Sequence, residues 1–240
     1  MPRLARIVIE GVAHHVVQRG NNRQDVFFVD DDRRHYLALL KQKAEEYRLE
    51  ILAYCLMTNH VHLVAVPQES DSLARAVGRV DFLHTQYINR LHDRSGHLWQ
   101  NRFHSCALDE GHLWAAMRYV ERNPVRAGLV KAATEYEWSS AAAHLTGQDP
   151  TGMLDLDRWG AEMDSATWRR WLSREGAKEE TRVIRKCTER GWPLAGDGFL
   201  SKVEKLMGRR LRPLANGRPK GVKDAPRRKQ GRQKRVPVPG

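Results

Sequence analysis

The pattern of hydrophobic residues predicts an α+β fold: a mainly antiparallel sheet with helices packed on it, close to a ferredoxin-like arrangement. Three observations carry this. Short apolar runs alternate with longer stretches of helical period, in the order strand, helix, strand, strand, helix, strand, helix. Residues 50–57 and 60–66 are parted only by Thr58 and Asn59, which makes them an antiparallel hairpin. The two longest helical stretches each carry their apolar residues on one side.

The elements follow in order. Residues 14–19 (HHVVQR) read as a strand, ended by Gly20-Asn21-Asn22. Residues 30–48 read as a helix. Asp30, Asp31 and Asp32 suit its positive N-terminal end, and Tyr36, Leu39, Leu40 and Tyr47 recur at helical spacing. Pro67 closes the second strand of the hairpin. Residues 71–91 form a second amphipathic helix through Leu73, Val77, Val80, Leu83, Tyr87 and Leu91. Residues 97–108 read as extended. Residues 110–123 read as a third helix, stopped by Pro124 because the position before proline disfavours helical torsions. Residues 1–150 thus read as one domain. Residues 151–208 place Trp159, Trp168, Trp171 and Trp192 among charged residues and read as a small helical appendage, broken at Gly191-Trp192-Pro193.

The chain has 240 residues, a formal net charge of +12 and 41% hydrophobic residues. From Arg209 to Arg235 there are twelve Lys or Arg against the single acid Asp224, so the excess charge sits in one short tail. Residues 209–240 are also rich in Gly and Pro and poor in large apolar side chains, the composition of a segment that is disordered when free. Such a charge points to a polyanion, most simply nucleic acid. No apolar run is long enough to span a bilayer, and the N-terminus lacks a signal peptide's apolar core. Cys55, Cys106 and Cys187 are odd in number and far apart, which argues against a disulfide framework or structural zinc and for a reducing cytoplasm. With a nucleic-acid partner, the expected location is cytoplasmic and nucleoid-associated.

The chemistry concentrates in residues 58–64 (TNHVHLV). On a strand, residues two apart point the same way, so His60 and His62 project side by side as half of a metal site. The competing reading is a pair of partly buried histidines bonded to backbone. On the third helix, Tyr119 and Asn123 are four apart and share a face. If that face lies over the His60/His62 strand, two imidazoles, an amide oxygen and a phenol converge. Such a shell with open positions suits Mg²⁺ or Mn²⁺, and zinc stays open. A phenol ionises only near pH 10, so a tyrosine nucleophile needs a metal or a base beside it. Attack on a phosphodiester would give a phosphotyrosine, which keeps the bond's chemical potential for rejoining; that suits strand transfer better than degradation. A core tyrosine is the competing reading of Tyr119. Tyr87, by contrast, has only Leu91 one turn on.

Four ordered motifs now stand together: LMTNHVH (residues 56–62), GHLWQNRF (96–103), YVERNPVRAGLV (119–130) and YEWSS (136–140). Over roughly residues 5–146 the chain resembles the single-tyrosine HUH transposases, and more narrowly the REP-associated tyrosine transposases of bacteria. The resemblance implies a metal-dependent endonuclease and strand transferase acting on single-stranded, hairpin-forming DNA. It implies His60, His62 and Asn123 as ligands of a divalent ion and Tyr119 as a nucleophile that forms a 5′-phosphotyrosine and frees a 3′-hydroxyl. The short link into the third helix favours action within one subunit, hence a monomer, with a dimer open.

For DNA contacts, Arg19 and Arg23 flank the turn after the first strand, and Trp99 and Arg102 lie on the later extended segment. Aromatic rings and guanidinium groups commonly hold single strands, although Trp99 also suits a core position. In the tail, Arg209, Arg210, Arg212, Arg218 and Lys220 are expected to track phosphates, in a salt-dependent manner. The competing function is a DNA-binding protein that keeps the fold without catalysis. A metal-dependent hydrolase is a third reading, and it lacks further acidic ligands at recognisable spacing.

Overall fold

The computed structural model describes residues 6–212. Four strands, β1 (His14–Arg19), β2 (Leu49–Met57), β3 (His60–Pro67) and β4 (His104–Ala107), form one sheet in the order β2-β3-β1-β4. Every neighbouring pair is antiparallel. Helix α1 (Asp30–Glu46) links β1 to β2, and α2 (Ser72–Leu91) links β3 to β4. This is the predicted ferredoxin-like β-α-β-β-α-β order. The Thr58-Asn59 turn sets the β2–β3 register, pairing Met57 with His60.

Alternation along the strands gives the sheet two buried faces. Val61, Leu63 and Ala65 of β3 join Val16 of β1 against α1 and α2, which contribute Tyr36, Leu40, Leu73, Val77 and Val80. His60, His62, Val64 and Val66 take the other face. There Cys55, Met57, Val64, Val66 and Cys106 pack against α3 (Glu110–Glu121), through Met117, Tyr119 and Val120. The Asp109 side chain caps α3 by accepting the His112 N–H at 3.0 Å. The same core takes in later elements of the chain. These are α4 (Asn123–Arg126), α5 (Ala141–Thr146), α6 (Leu156–Glu162), α7 (Ser165–Ser173) and α8 (Lys178–Arg190), while α9 (Asp197–Met207) packs in a separate small cluster with Ile9 and Ala107. Trp168 and Leu172 of α7 and Ile184 of α8 are buried in it. Helix α8 ends where Gly191 takes a left-handed conformation, φ +67°. No helix among the described residues is long and apolar enough to cross a membrane.

Three expectations need correction. Of residues 97–108, only His104–Ala107 pair as a strand. Leu98, Trp99 and Phe103 are apolar because a loop carries them over the core, not because they alternate in a sheet. Trp99 is therefore no exposed stacking platform: it is buried, and its Nε1–H donates to the Asp81 carbonyl at 3.0 Å. Secondly, Pro124 starts a helical turn instead of stopping one. Helix α3 ends at Glu121, Arg122 departs from helical torsions (ψ 2°), and Pro124 falls in the first turn of α4, where its missing N–H breaks no bond. Thirdly, packed chain continues past residue 208. Leu211 is buried beside Val203 of α9, and Arg212 bonds to Glu204 and Asp197. Arg218, Lys220 and most of the predicted disordered tail lie outside the described residues.

Candidate functional site

The β1–β3 register places Arg19 opposite His60 and Val17 opposite His62. His15, two residues before Val17, shares their face. The His60 and His62 rings meet edge to face at 5.0 Å between centroids. Helix α3 lays Tyr119 over them, with its ring edge-on to His62 at 5.6 Å and to His15 at 5.4 Å. A cleft of about 600 Å³ collects His15, Arg19, His60, His62, Tyr119, Asn123, Arg126, Arg185 and Thr188. Four of the residues singled out by spacing, together with Arg19, thus line one cavity.

The protonation of the histidines can be worked out from their partners. Asn59 donates its amide N–H to the Arg23 carbonyl at 3.1 Å, so its Oδ1 faces His60 and accepts from Nδ1 at 2.6 Å. His60 Nε2 is left as a bare lone pair. Burial pushes His60 down to about 4, and the Arg19, Arg126 and Arg185 charges act in the same direction. Burial also holds His62 well below the ordinary imidazole range, with His60, His15, Arg126 and Arg19 adding to it. His15, enclosed completely, falls to about 3 through burial and the Arg126 charge. All three rings are neutral at neutral pH, the form in which imidazole binds metals.

Around Tyr119 the cationic groups are placed closely. Arg126 lies over its ring at 4.0 Å and donates to its backbone carbonyl at 2.8 Å. The Nε–H of Arg185, from α8, donates to the phenol oxygen at 3.1 Å. Asn123 Oδ1 accepts from Arg126 at 2.7 Å, while its buried Nδ2 has no partner. That orphaned amide borders the cleft, and its carbonyl oxygen keeps a second lone pair. Two neutral imidazoles and an amide fit a divalent ion with several positions left open. Among the described residues no group of three or more His, Cys, Asp or Glu could hold a metal. The protein therefore supplies no cluster of anionic ligands, and Arg19, Arg126 and Arg185 oppose a lone cation. Glu189 is the one acid that borders the cleft, so most of the negative charge for such an ion would come from a phosphate.

Other residues fall elsewhere. Arg102 is exposed beside a separate cleft, together with Gln18, Asp81 and Trp99. Arg23 is exposed at the turn after β1. Arg209, Arg210 and Arg212 follow α9, where Arg212 is already engaged by acids. Sequence reasoning missed His15, Asn59, Arg126, Arg185 and Thr188 as site residues. Arg126 does lie inside the YVERNPVRAGLV motif. Arg185 and Thr188 are three apart on one amphipathic helix, with nothing in the sequence to single them out.

Comparison with known proteins points to one family. Residues 8–123 match the family described as "Transposase IS200 like". A protein of Haemophilus influenzae named "Putative REP-associated tyrosine transposase" is 28% identical over 151 residues, covering 57% of this chain and 81% of that one. Among solved structures, a REP-associated tyrosine transposase bound to a REP hairpin superposes with a TM-score of 0.50 at 20% identity. It covers 63% of this chain and 90% of that one. At that identity the likeness speaks for the fold.

Proposed function

We propose that this chain, whose residues 8–123 match the IS200-like transposase family, is a member of it that cuts and rejoins single-stranded DNA beside a REP-type hairpin, with Tyr119 as its nucleophile. The observation that carries this is the placing of the Tyr119 ring against His62, at 5.6 Å, in a cleft that both share with His60. His60 and His62 through Nε2, and Asn123 through its amide oxygen, would hold a Mg²⁺ or Mn²⁺ ion, which supplies positive charge at the scissile phosphate. Arg185 orients the phenol oxygen, and Arg126 fixes the ring from above. Attack by that oxygen forms a phosphorus–oxygen bond to Tyr119 and breaks the bond to the 3′-oxygen. The phenolic proton is released, and the departing oxygen takes one up to become a 3′-hydroxyl. The ester is left at the 5′-phosphate, so the reverse attack by a second 3′-hydroxyl joins strands without ATP. Tyr119 touches the histidines of its own chain, which supports action within one protomer.

The direct test uses the full chain, Mn²⁺ and an oligonucleotide with a REP-type hairpin, labelled at its 3′ end. A labelled covalent adduct on denaturing gels, mapping to Tyr119, is the expected product, together with an extendable 3′-hydroxyl on the released fragment. Label carried instead from the 5′ end would refute the polarity. Binding with no adduct in any divalent ion would favour the non-catalytic DNA-binding alternative.

A further expectation concerns the histidine pair. The double variant His60→Ala, His62→Ala should lose adduct formation by at least about 10²-fold while binding the hairpin in EDTA as wild type does. Cleavage at the wild-type rate would remove both residues from the chemistry.

A further inference from the structure

We propose that Thr188, on α8, sets the tautomer of His62 through His15, so that the C-terminal helices form part of the cleavage site. The role in cleavage rests on the metal-dependent reading above; the tautomer assignment does not. Thr188 Oγ1 donates its only proton to the Ile184 carbonyl at 2.8 Å. Toward His15 Nδ1, at 2.7 Å, it can then only accept. His15 therefore carries its proton on Nδ1 and presents a bare Nε2. That nitrogen lies 3.0 Å from His62 Nδ1, which must supply the proton between them. The result is a directed chain, from His62 Nδ1–H to His15 Nε2 and from His15 Nδ1–H to Thr188. It leaves His62 Nε2 as the free lone pair. Cys106 Sγ, at 3.2 Å from Thr188 Oγ1, is a weak donor that suits the same direction.

The chain has no slack. His15, His62 and Thr188 are all buried, at 1%, 4% and 2% exposure, so water cannot readily replace a lost partner. Without the hydroxyl, His15 would bury an unpaired N–H if it kept its tautomer. A bare, unpaired Nδ1 is the cheaper state. His15 would then carry its proton on Nε2, donate to His62 Nδ1, and force the His62 proton onto Nε2. The nitrogen offered to the cleft would be blocked. Ligand histidines are commonly fixed through their second nitrogen in this way, and loss of such a partner weakens metal binding about 10–100-fold. Thr188 and His15 are positioning residues. What is unexpected is that one of them lies more than a hundred residues beyond the His60/His62 strand, outside the part of the chain that matches the family.

The test reads the tautomer itself. In the metal-free full-length protein, ¹⁵N shifts of labelled histidine should show His62 protonated on Nδ1. Thr188→Val, nearly isosteric, should move that proton to Nε2, and Thr188→Ser should restore it. With a REP-type hairpin oligonucleotide, Thr188→Val should raise the Mn²⁺ concentration for half-maximal adduct formation about 10–100-fold. Hairpin binding in EDTA should not change. Wild-type His62 protonated on Nε2 would overturn the proposal without any variant. A His62 tautomer unmoved by Thr188→Val would also overturn it. A moved tautomer with an unchanged Mn²⁺ requirement would overturn the helix's part in cleavage. Adduct formation by wild type without any divalent ion would instead sink the underlying metal reading.

Discussion

Tyr119→Phe is expected to bind hairpin DNA like the wild type and to form no covalent adduct. The substitution deletes one oxygen and little else. The phenylalanine ring still fits against His15 and His62, and Arg126 keeps its place over the ring face, as it does at 4.0 Å from the tyrosine. One hydrogen bond from Arg185 is lost. That guanidinium is partly exposed and can turn to water, so the fold should lose no more than about 1 kcal/mol. The chemical loss is of another order. Removing a nucleophile typically lowers turnover by about 10⁴-fold or more, and what remains cannot be covalent. No other tyrosine is placed to substitute. Tyr36 and Tyr54 are buried in the core on the α1 side of the sheet, where Tyr47 and Tyr87 also pack, and Tyr136 donates to the Leu56 carbonyl at 2.8 Å. Denaturing gels with labelled hairpin substrate, beside a binding curve in EDTA, decide the matter. An adduct that persists in the variant would remove Tyr119 from the mechanism.

The sequence carried the first layer of this site and not the second. His60 and His62 were legible because a strand repeats every two residues, and Tyr119 and Asn123 because a helix brings positions four apart together. Even the helix break at Arg122 leaves that pair lining one cleft. The groups that hold those four in place were not legible. His15 read as a strand or DNA-contact residue within residues 14–19, not as a partner of the histidine pair. Its partners, His62 and Thr188, lie 47 and 173 positions away, and no local period reports such contacts. Arg185 looked like one charge among many on α8. The residue 97–103 segment misled for a related reason: burial alone gives Leu98, Trp99 and Phe103 their apolar character, and a loop can be buried as well as a strand. Hydrophobic pattern reports depth before it reports conformation.

A second large effect is expected away from the chemistry. Glu121→Ala should destabilise the protein by about 3–5 kcal/mol. Glu121 is the last residue of α3, two positions after Tyr119, and it is fully buried. Its carboxylate accepts from three side chains at once: the Ser140 hydroxyl at 2.6 Å, His144 Nδ1 at 2.5 Å and Trp168 Nε1 at 2.9 Å. It therefore fastens both α5 and α7 to the helix that carries Tyr119. Truncation leaves His144 and Trp168 as buried donors without an acceptor and Ser140 with only the Tyr54 carbonyl at 3.4 Å, each unpaired donor worth about 1–3 kcal/mol, in addition to a cavity. Glu121→Gln keeps the volume but replaces one acceptor oxygen with an N–H group facing donors, so it should rescue only part of the loss. Because whole domains are stable by about 5–15 kcal/mol, the alanine variant should shift the urea midpoint of the full chain far to lower concentration. A loss below about 1 kcal/mol would mean that the three donors find other partners, and that the later helices are held by apolar packing instead of this carboxylate.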